Sequence, residues 1–136
     1  MEGAVHVHKA RGVLLVDRLI LVARSKGSTV FIAPGGELKP GETPQAALVR
    51  RLKKELGIDV NESDLEYLDT YCAKAAGDDS ERIRTDVFIV KKWIGGLEPD
   101  DKMDKVTWTN SMTDIELGPA MKEVMRELKD KRRLID

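Results

Sequence analysis

Four charged residues stand close together in one stretch of helical spacing: Arg50, Arg51, Lys54 and Glu55. Positions 51, 54 and 55 lie at i, i+3 and i+4, so their side chains share one patch of a helix. A glutamate supplies hard oxygen ligands for a divalent cation, whereas arginine and lysine donate hydrogen bonds to phosphate oxygens. This patch therefore indicates chemistry with a metal ion, with phosphate groups, or with both.

The stretch that carries these charges predicts a glycine-rich loop followed by a helix over residues 44–56. Thr43 is a favourable N-cap, Pro44 suits the first helical position, and Gly57 suits the end of the helix. Apolar residues recur at helical spacing, which predicts that one face of the helix is buried. That stripe consists of Leu48, Val49, Leu52 and Leu56.

The loop and helix resemble the Nudix box over residues 36–58. The family pattern runs Gly, five residues, Glu, seven residues, then Arg-Glu-aliphatic-any-Glu-Glu-any-Gly-aliphatic. Arg51 and Lys54 stand where the family has glutamates. The resemblance implies a single Nudix domain over residues 1–136 with the Nudix fold, an α/β/α sandwich in which a mixed β-sheet lies between helices. The matching positions are Gly36, Glu42, Arg50, Leu52, Glu55, Gly57 and Ile58.

The resemblance also implies an activity. Similar family members cleave nucleoside diphosphates linked to another group, with water attacking a phosphorus and Mg²⁺ (or Mn²⁺) neutralising the developing charge. It assigns catalysis to Glu42, Arg50 and Glu55. The same two glutamates are candidate metal ligands, together with Asp101 and Asp104 from a later acidic segment. A charged loop that precedes a strand is the alternative interpretation of those two aspartates.

The charge of the helix patch differs from the family pattern. Three glutamates would be anionic, whereas positions 51, 54 and 55 carry a net charge of +1. Arginine and lysine have no lone pair for a metal, and a divalent ion about 5 Å from either cation is repelled by roughly 2 to 7 kcal/mol. We therefore expect Mg²⁺ binding to be weak or lost and hydrolysis to be weakened.

Cations also bind phosphate directly, which leaves a second function open. Gly35, Gly36, Arg51 and Lys54 are candidate substrate-binding residues, since arginine binds phosphate oxygens in a bidentate manner. Arg24 is a further candidate, for which a plain surface arginine is an equal alternative. A catalytically impaired domain that binds a nucleotide or another phosphorylated ligand, or an interaction module, is therefore the alternative to a weakened hydrolase. The upstream ARSKG segment resembles small, MutT-like members that act on nucleoside triphosphates.

Alternating and aliphatic runs predict strands on both sides of the central helix. A last helix is predicted to begin at residues 118–119, where Gly precedes Pro. Its buried stripe is predicted to consist of Met121, Val124, Met125 and Leu128, and the strands are predicted over residues 4–16, 19–24, 29–33, 65–75, 82–94 and 106–108.

Other residues with chemical potential carry weaker signals. His6 and His8 share one side of the first predicted strand, but no third metal ligand is evident nearby. Trp93 and Trp108 are more consistent with packing than with stacking on a base. Cys72 has no adjacent histidine, so it is interpreted as a packed or surface thiol rather than a nucleophile.

The overall composition narrows the class of protein. A net charge of −1 gives no global reason for nucleic-acid or anionic-membrane binding. No apolar run approaches the roughly 18 residues of a membrane span. A single cysteine forms no disulfide framework and suits a reducing cytoplasm, where we expect the protein. A small-molecule nucleotide is the expected partner, and the resemblance admits a homodimer.

Overall fold

The structure, a computed structural model, describes residues 7–75, 78–110 and 115–133. Within these ranges, it contains strands and helices in the order β1 (Val7–Val13), β2 (Leu15–Val16), β3 (Leu19–Ser25), β4 (Gly35–Glu37), α1 (Pro44–Leu56), β5 (Leu65–Ala75), β6 (Asp78–Val90), β7 (Met103–Thr109) and α2 (Pro119–Asp130). A 3₁₀ turn at Glu62–Asp64 precedes β5. No described helix is long and apolar enough to cross a membrane.

The described strands form two sheets. A four-stranded sheet has the order β4-β1-β6-β5 and is mixed, because β1 is parallel to β6 whereas the other pairs are antiparallel. A three-stranded antiparallel sheet has the order β2-β3-β7. The mixed sheet expected from the sequence is thus present, and a separate antiparallel sheet accompanies it.

Two apolar clusters place one helix on each side of the strands. Residues of α1 pack in one cluster with Ala10 of β1, with Leu14 between β1 and β2, and with residues of other strands. Residues of α2 pack with Val13 and Val87 in the other cluster. Because alternate residues of β1 enter different clusters, the strands lie between the helices, as the sequence predicted. The predicted stripes are both buried, apart from the partly buried Val49: Leu48, Leu52 and Leu56 on α1, and Met121, Val124, Met125 and Leu128 on α2.

Local signals fix both ends of α1. The Thr43 hydroxyl accepts a hydrogen bond from the Ala46 amide at 3.1 Å. Gly57 adopts the left-handed conformation with φ 72°, and its amide donates to the Lys53 carbonyl. The helix ends where it was predicted, so the last turn, which carries Glu55, lies against the loop.

Several predicted strands have different limits. Residues 29–33 form only isolated bridges, because Ile32 pairs with Ala23 whereas Phe31 pairs with Leu117 in a different direction. The predicted strand over 82–94 ends at Val90, since its partner strand β5 begins opposite that residue. The first predicted strand is interrupted at position 14, and its residues 4–6 lie outside the described part of the chain.

Pairing between β1 and β4 positions the functional residues. Lys9 lies opposite Glu37, and Arg11 lies opposite Gly35. Gly35 has φ 138°, and a Cβ at this position would approach the Ala10 carbonyl oxygen and lie 2.8 Å from the Arg11 Cα. Only glycine fits such a backbone so close to a neighbouring strand.

We expect the Gly35→Ala substitution to lower the free energy of unfolding by at least about 3 kcal/mol, because it combines a strained backbone with a backbone clash. Gly41→Ala is the matched control: Gly41 also has a positive φ, of 79°, but a Cβ there meets no atom within 4 Å. That control should cost only about 1 to 2 kcal/mol. Urea unfolding measures both values, and equal losses would contradict the close approach of β1.

Candidate active site

A cavity of about 320 Å³ lies where β1, β4 and α1 meet, and we call it the charged cavity. Among its described lining residues, three cationic side chains accompany two carboxylates. The backbone of the glycine loop and residues from the end of β3 and the start of β7 complete the wall. This composition favours an anionic ligand. The five charged residues are Lys9, Arg11, Glu37, Arg51 and Glu55.

Glu55 is the buried carboxylate of this cavity, with only 3% of its surface exposed. Its Oε1 atom accepts a hydrogen bond from the Gly35 amide at 3.2 Å. Its Oε2 atom lies 2.6 Å from Nη2 of Arg51, one helical turn earlier. Neither Glu55 Oε2 nor Arg51 Nε has a partner of normal hydrogen-bond geometry among the described residues. The two side chains therefore form a close ion pair that leaves hydrogen-bonding capacity unused.

The guanidinium of Arg51 lies directly over the glycine loop. A Cβ built on Gly36 would lie only 2.6 to 2.8 Å from its Nε, Cζ and Nη2 atoms. Nη2 also lies 3.5 Å from the Gly35 carbonyl oxygen. Because Gly36 has no side chain, there is space for this guanidinium above the loop.

Lys9 and Arg11 bring two further cations to the cavity from β1. Arg11 Nη1 donates to the Ala33 carbonyl at 2.9 Å. Burial lowers the pKa of Arg11, and the nearby charge of Glu55 opposes this shift while that of Arg51 adds to it. Burial also lowers the pKa of Lys9, and the charge of Arg11 adds to that effect. These cations are therefore close enough to repel one another.

Lys9 and Arg11 were not predicted as site residues from the sequence. Their spacing of two along a predicted strand places them on one face, which was the available signal. What the sequence did not supply was the pairing of that strand with the glycine loop, which is a contact across more than twenty residues.

Two of the predicted catalytic residues, Glu42 and Arg50, pair with each other outside the charged cavity. Arg50 donates from Nε and Nη2 to the two carboxylate oxygens of Glu42 at 2.8 and 2.9 Å. The Lys39 amide also donates to Glu42, and Arg50 Nη2 donates to the Glu37 carbonyl. These bonds connect the loop to the helix and engage both oxygens of the Glu42 carboxylate.

The remaining predicted site residues lie apart from the cavity lining. Arg24 forms an ion pair with Asp104 and lies 5.1 Å from the centroid of the Phe31 ring. Lys54 is exposed on α1, and Asp101 is exposed before β7. The structure therefore brings together Gly35, Gly36, Arg51 and Glu55 from the predicted set, and separates the others from them.

The donor set does not fit the divalent cation that the sequence resemblance implied. The described residues contain no group of three or more histidine, cysteine or acidic side chains placed to bind a metal. Glu42, Asp101 and Asp104 do not join Glu55 in the cavity lining. The Oε2 atom of Glu55 faces a guanidinium instead of open space. A metal ion would have to displace Arg51 before it reached this carboxylate.

A second cavity of about 320 Å³ adjoins the first, and we call it the apolar cavity. The two cavities share Lys9, Arg11, Ile32 and Ala33. The Tyr71 hydroxyl donates to Glu127 at 2.8 Å, and burial together with that carboxylate raises the pKa of Tyr71. The other described lining residues are largely apolar or small: Ala73, Ile83, Thr85, Val87, Gly118, Ala120, Met121 and Val124.

The weaker sequence candidates have structural roles or lie outside the site. His8 Nε2 lies 2.6 Å from Oδ2 of the buried Asp86, and His6 lies outside the described residues. Trp93 and Trp108 pack against the core cluster beneath α1, as the packing interpretation predicted. Cys72 is exposed as a free thiol.

Residues 3–128 match the family model of the NUDIX domain. A segment of 65 residues is 44% identical to an 8-oxo-dGTP diphosphatase of Proteus vulgaris. The match spans 47% of this chain and 53% of that protein, which is about half of the relative's length. The family match therefore covers most of the chain, whereas the match to this relative is partial.

Solved structures share the fold. The E. coli ORF135 protein has a TM-score of 0.79 and 22% identity, over 93% of this chain and 90% of that one. The MutT NUDIX hydrolase from Burkholderia pseudomallei also has a TM-score of 0.79, with 18% identity over 90% of this chain and 97% of that one. Likeness at these identities shows the fold alone, and it confirms the α/β/α sandwich predicted from the sequence.

The Glu42–Arg50 pair predicts a pH-dependent stability. The hydrogen bonds from Arg50, then from the Lys39 amide, lower the pKa of Glu42 from its usual 4.5 to about 2. A carboxyl with a lowered folded-state pKa stabilises the fold above the unfolded pKa, and this contribution is lost as the pH falls toward 2. The free-energy difference between wild type and Glu42→Gln, measured by urea unfolding, should be constant above about pH 5 and shrink below it.

Arg50→Gln is the complementary variant, since it removes the donor and keeps the acid. The difference between wild type and Arg50→Gln should shrink over the same acidic range. A difference for Glu42→Gln that stays constant from about pH 6 to about pH 3 would contradict the strong pairing.

Proposed function

The chain is a MutT-like member of the NUDIX domain family, and we propose that it binds a nucleoside triphosphate or a related pyrophosphate and hydrolyses it slowly. The observation that carries this proposal is the contact between a cationic cavity and an apolar one. A nucleotide has the matching form, with an anionic chain at one end and a flat base at the other. Each cavity is near the lower limit of the roughly 300 to 1,000 Å³ typical of small-molecule sites.

In this proposal the charged cavity holds the phosphates. Lys9, Arg11 and Arg51 supply ammonium and guanidinium donors, and charge-assisted hydrogen bonds to phosphate are stronger than neutral ones. Two of the three belong to β1, a central strand, so their backbone is fixed by its pairing with β4 and β6. Lys54 has no place in this arrangement, because it is exposed outside the cavity lining.

The base occupies the apolar cavity. Lys9 and Arg11 line both cavities, so a phosphate held by them leaves the attached nucleoside next to the apolar walls. Tyr71 and Met121 offer an aromatic face and a polarizable side chain there, both of which suit a base. The partial similarity to an 8-oxo-dGTP diphosphatase supports a purine nucleoside triphosphate, and 8-oxo-dGTP and dGTP are the first ligands to test.

Slow hydrolysis follows from the burial of Glu55 and its ion pair with Arg51. This buried carboxylate faces the charged cavity and is the candidate to orient and deprotonate an attacking water. A general base contributes about 10² to 10⁴ in rate when its pKa is matched to the task. Arg51 lies 2.6 Å from the second carboxylate oxygen, which leaves that oxygen less accessible to an attacking water. The same pair supports the second candidate, a domain that binds a nucleotide without turnover.

The Lys9→Met substitution tests the phosphate assignment. Loss of one charge-assisted contact should raise the Kd for 8-oxo-dGTP about 10-fold, as measured by calorimetry. Lys54→Met is the matched control, since it removes the same charge from an exposed position outside the cavity. Its Kd should stay within about 2-fold of wild type. Equal losses in the two variants would contradict a specific role for the cavity.

The Glu55→Gln substitution tests the hydrolysis. Turnover of 8-oxo-dGTP, measured as the release of pyrophosphate or phosphate, should fall at least about 100-fold, because the general base is removed. Nucleotide affinity should be kept, because glutamine retains a side-chain oxygen that can accept a hydrogen bond from Arg51 and hold it at the cavity. Turnover that persists at the wild-type rate would assign the chemistry elsewhere. Binding without measurable wild-type turnover would select the second candidate.

A further inference from the structure

We propose that the Arg51 guanidinium takes the place of a bound divalent cation in holding the nucleotide's phosphates, so that nucleotide binding needs no metal. Nudix hydrolases generally use divalent metal ions, and this chain therefore departs from the family in its mode of phosphate binding. The inference rests on the proposed nucleotide ligand and specifies which charges hold it.

The Arg51 guanidinium is positioned between oxygen atoms of the helix and of the loop. It lies between a helix carboxylate and a loop carbonyl: Nη2 is 2.6 Å from Glu55 Oε2 and 3.5 Å from the Gly35 oxygen. Oxygens of these two kinds are the usual ligands of hard cations. Here the space that they enclose is filled by a side chain whose charge is permanent.

The space beside Gly36 also fits the Arg51 side chain closely. Gly36 leaves room for the guanidinium, which a Cβ would approach to 2.6 Å. The i, i+4 ion pair with Glu55 fixes the side chain from the opposite side. The cation is therefore held in place before any ligand arrives, and a pre-organised donor loses less entropy when it binds.

The Arg51 guanidinium also has hydrogen-bond donors that a ligand can contact. Although Arg51 Nε is buried, 29% of the side chain is exposed and lines the charged cavity, so its other guanidinium N–H groups can reach a ligand there. Lys9 and Arg11 line the same cavity. A phosphate that enters therefore meets three protein cations directly, and their combined charge disfavours a free divalent ion at the same place.

Calorimetric titration of the full chain with dGTP, in EDTA and in Mg²⁺, tests the proposal. We expect the Kd in EDTA to be within about 3-fold of that in Mg²⁺, or lower. Arg51→Gln should raise the Kd in EDTA at least about 10-fold, whereas Lys54→Gln, an exposed cation one turn away, should leave it within about 2-fold.

The outcomes separate this inference from the function on which it rests. Nucleotide binding that appears only with Mg²⁺ would overturn the inference and leave the proposed function in place. Failure to bind any of the nucleotides in either buffer would overturn both.

Direct metal binding gives a readout that does not depend on nucleotide. In electron paramagnetic resonance titrations with Mn²⁺, we expect Arg51→Glu to bind the ion at least about 10-fold more tightly than wild type. Lys54→Glu is the control, because it makes the same change of charge outside the cavity. Wild-type protein that binds Mn²⁺ as tightly as Arg51→Glu would overturn the proposal.

A second variant keeps the test valid if like charges at positions 51 and 55 impair folding. Gly36→Ala displaces the flexible end of Arg51 without changing any charge. The circular dichroism spectrum of this variant should stay that of the folded wild-type protein. Its Kd for dGTP in EDTA should rise at least about 5-fold. An unchanged Kd would contradict the role of the Arg51 guanidinium beside Gly36 in phosphate binding.

Discussion

The ion pair between Arg51 and Glu55 connects the parts of the structure on which any ligand must depend. Glu55 binds the guanidinium through one carboxylate oxygen and the Gly35 amide through the other. Gly35 in turn lies against β1, so the end of α1, the glycine loop and the strand that carries Lys9 and Arg11 are joined at one point. The pair is both a structural connection and the main determinant of charge in the cavity.

The same pair explains how a family scaffold is combined with an altered site. The capped helix, the glycine loop and the two apolar cores are those of the fold. The difference from the family pattern lies in a few side chains at one surface of α1, where the Arg51 guanidinium lies next to the buried Glu55 carboxylate. Because opposite charges in a partly buried site strongly favour each other, the arginine at position 51 is compatible with the local fold and leaves the Glu55 carboxylate paired instead of open. In the function that we propose, this pairing separates binding of phosphate from catalysis of its cleavage.

The sequence predicted the parts of the structure that depend on local interactions. Thr43 and Gly57 cap α1 as expected, and both helices bury their predicted stripes. The composition of the cavity depends instead on strand pairing, which sequence spacing does not reveal, and so Lys9 and Arg11 were missed. Individual ion pairs also decide which carboxylates are available to bind a metal. Arg50 pairs with Glu42, and Arg24 pairs with Asp104, which is eighty residues away in the sequence.

The most direct test of this account is a crystal structure of the chain grown with a nucleotide and soaked in Mn²⁺, with anomalous scattering used to locate the ion. The account predicts that Arg51 stays paired with Glu55 and contacts a phosphate oxygen, with no anomalous peak at Glu55. A fully occupied ion bound to Glu55 and the Gly35 carbonyl, with the guanidinium turned toward solvent, would contradict it.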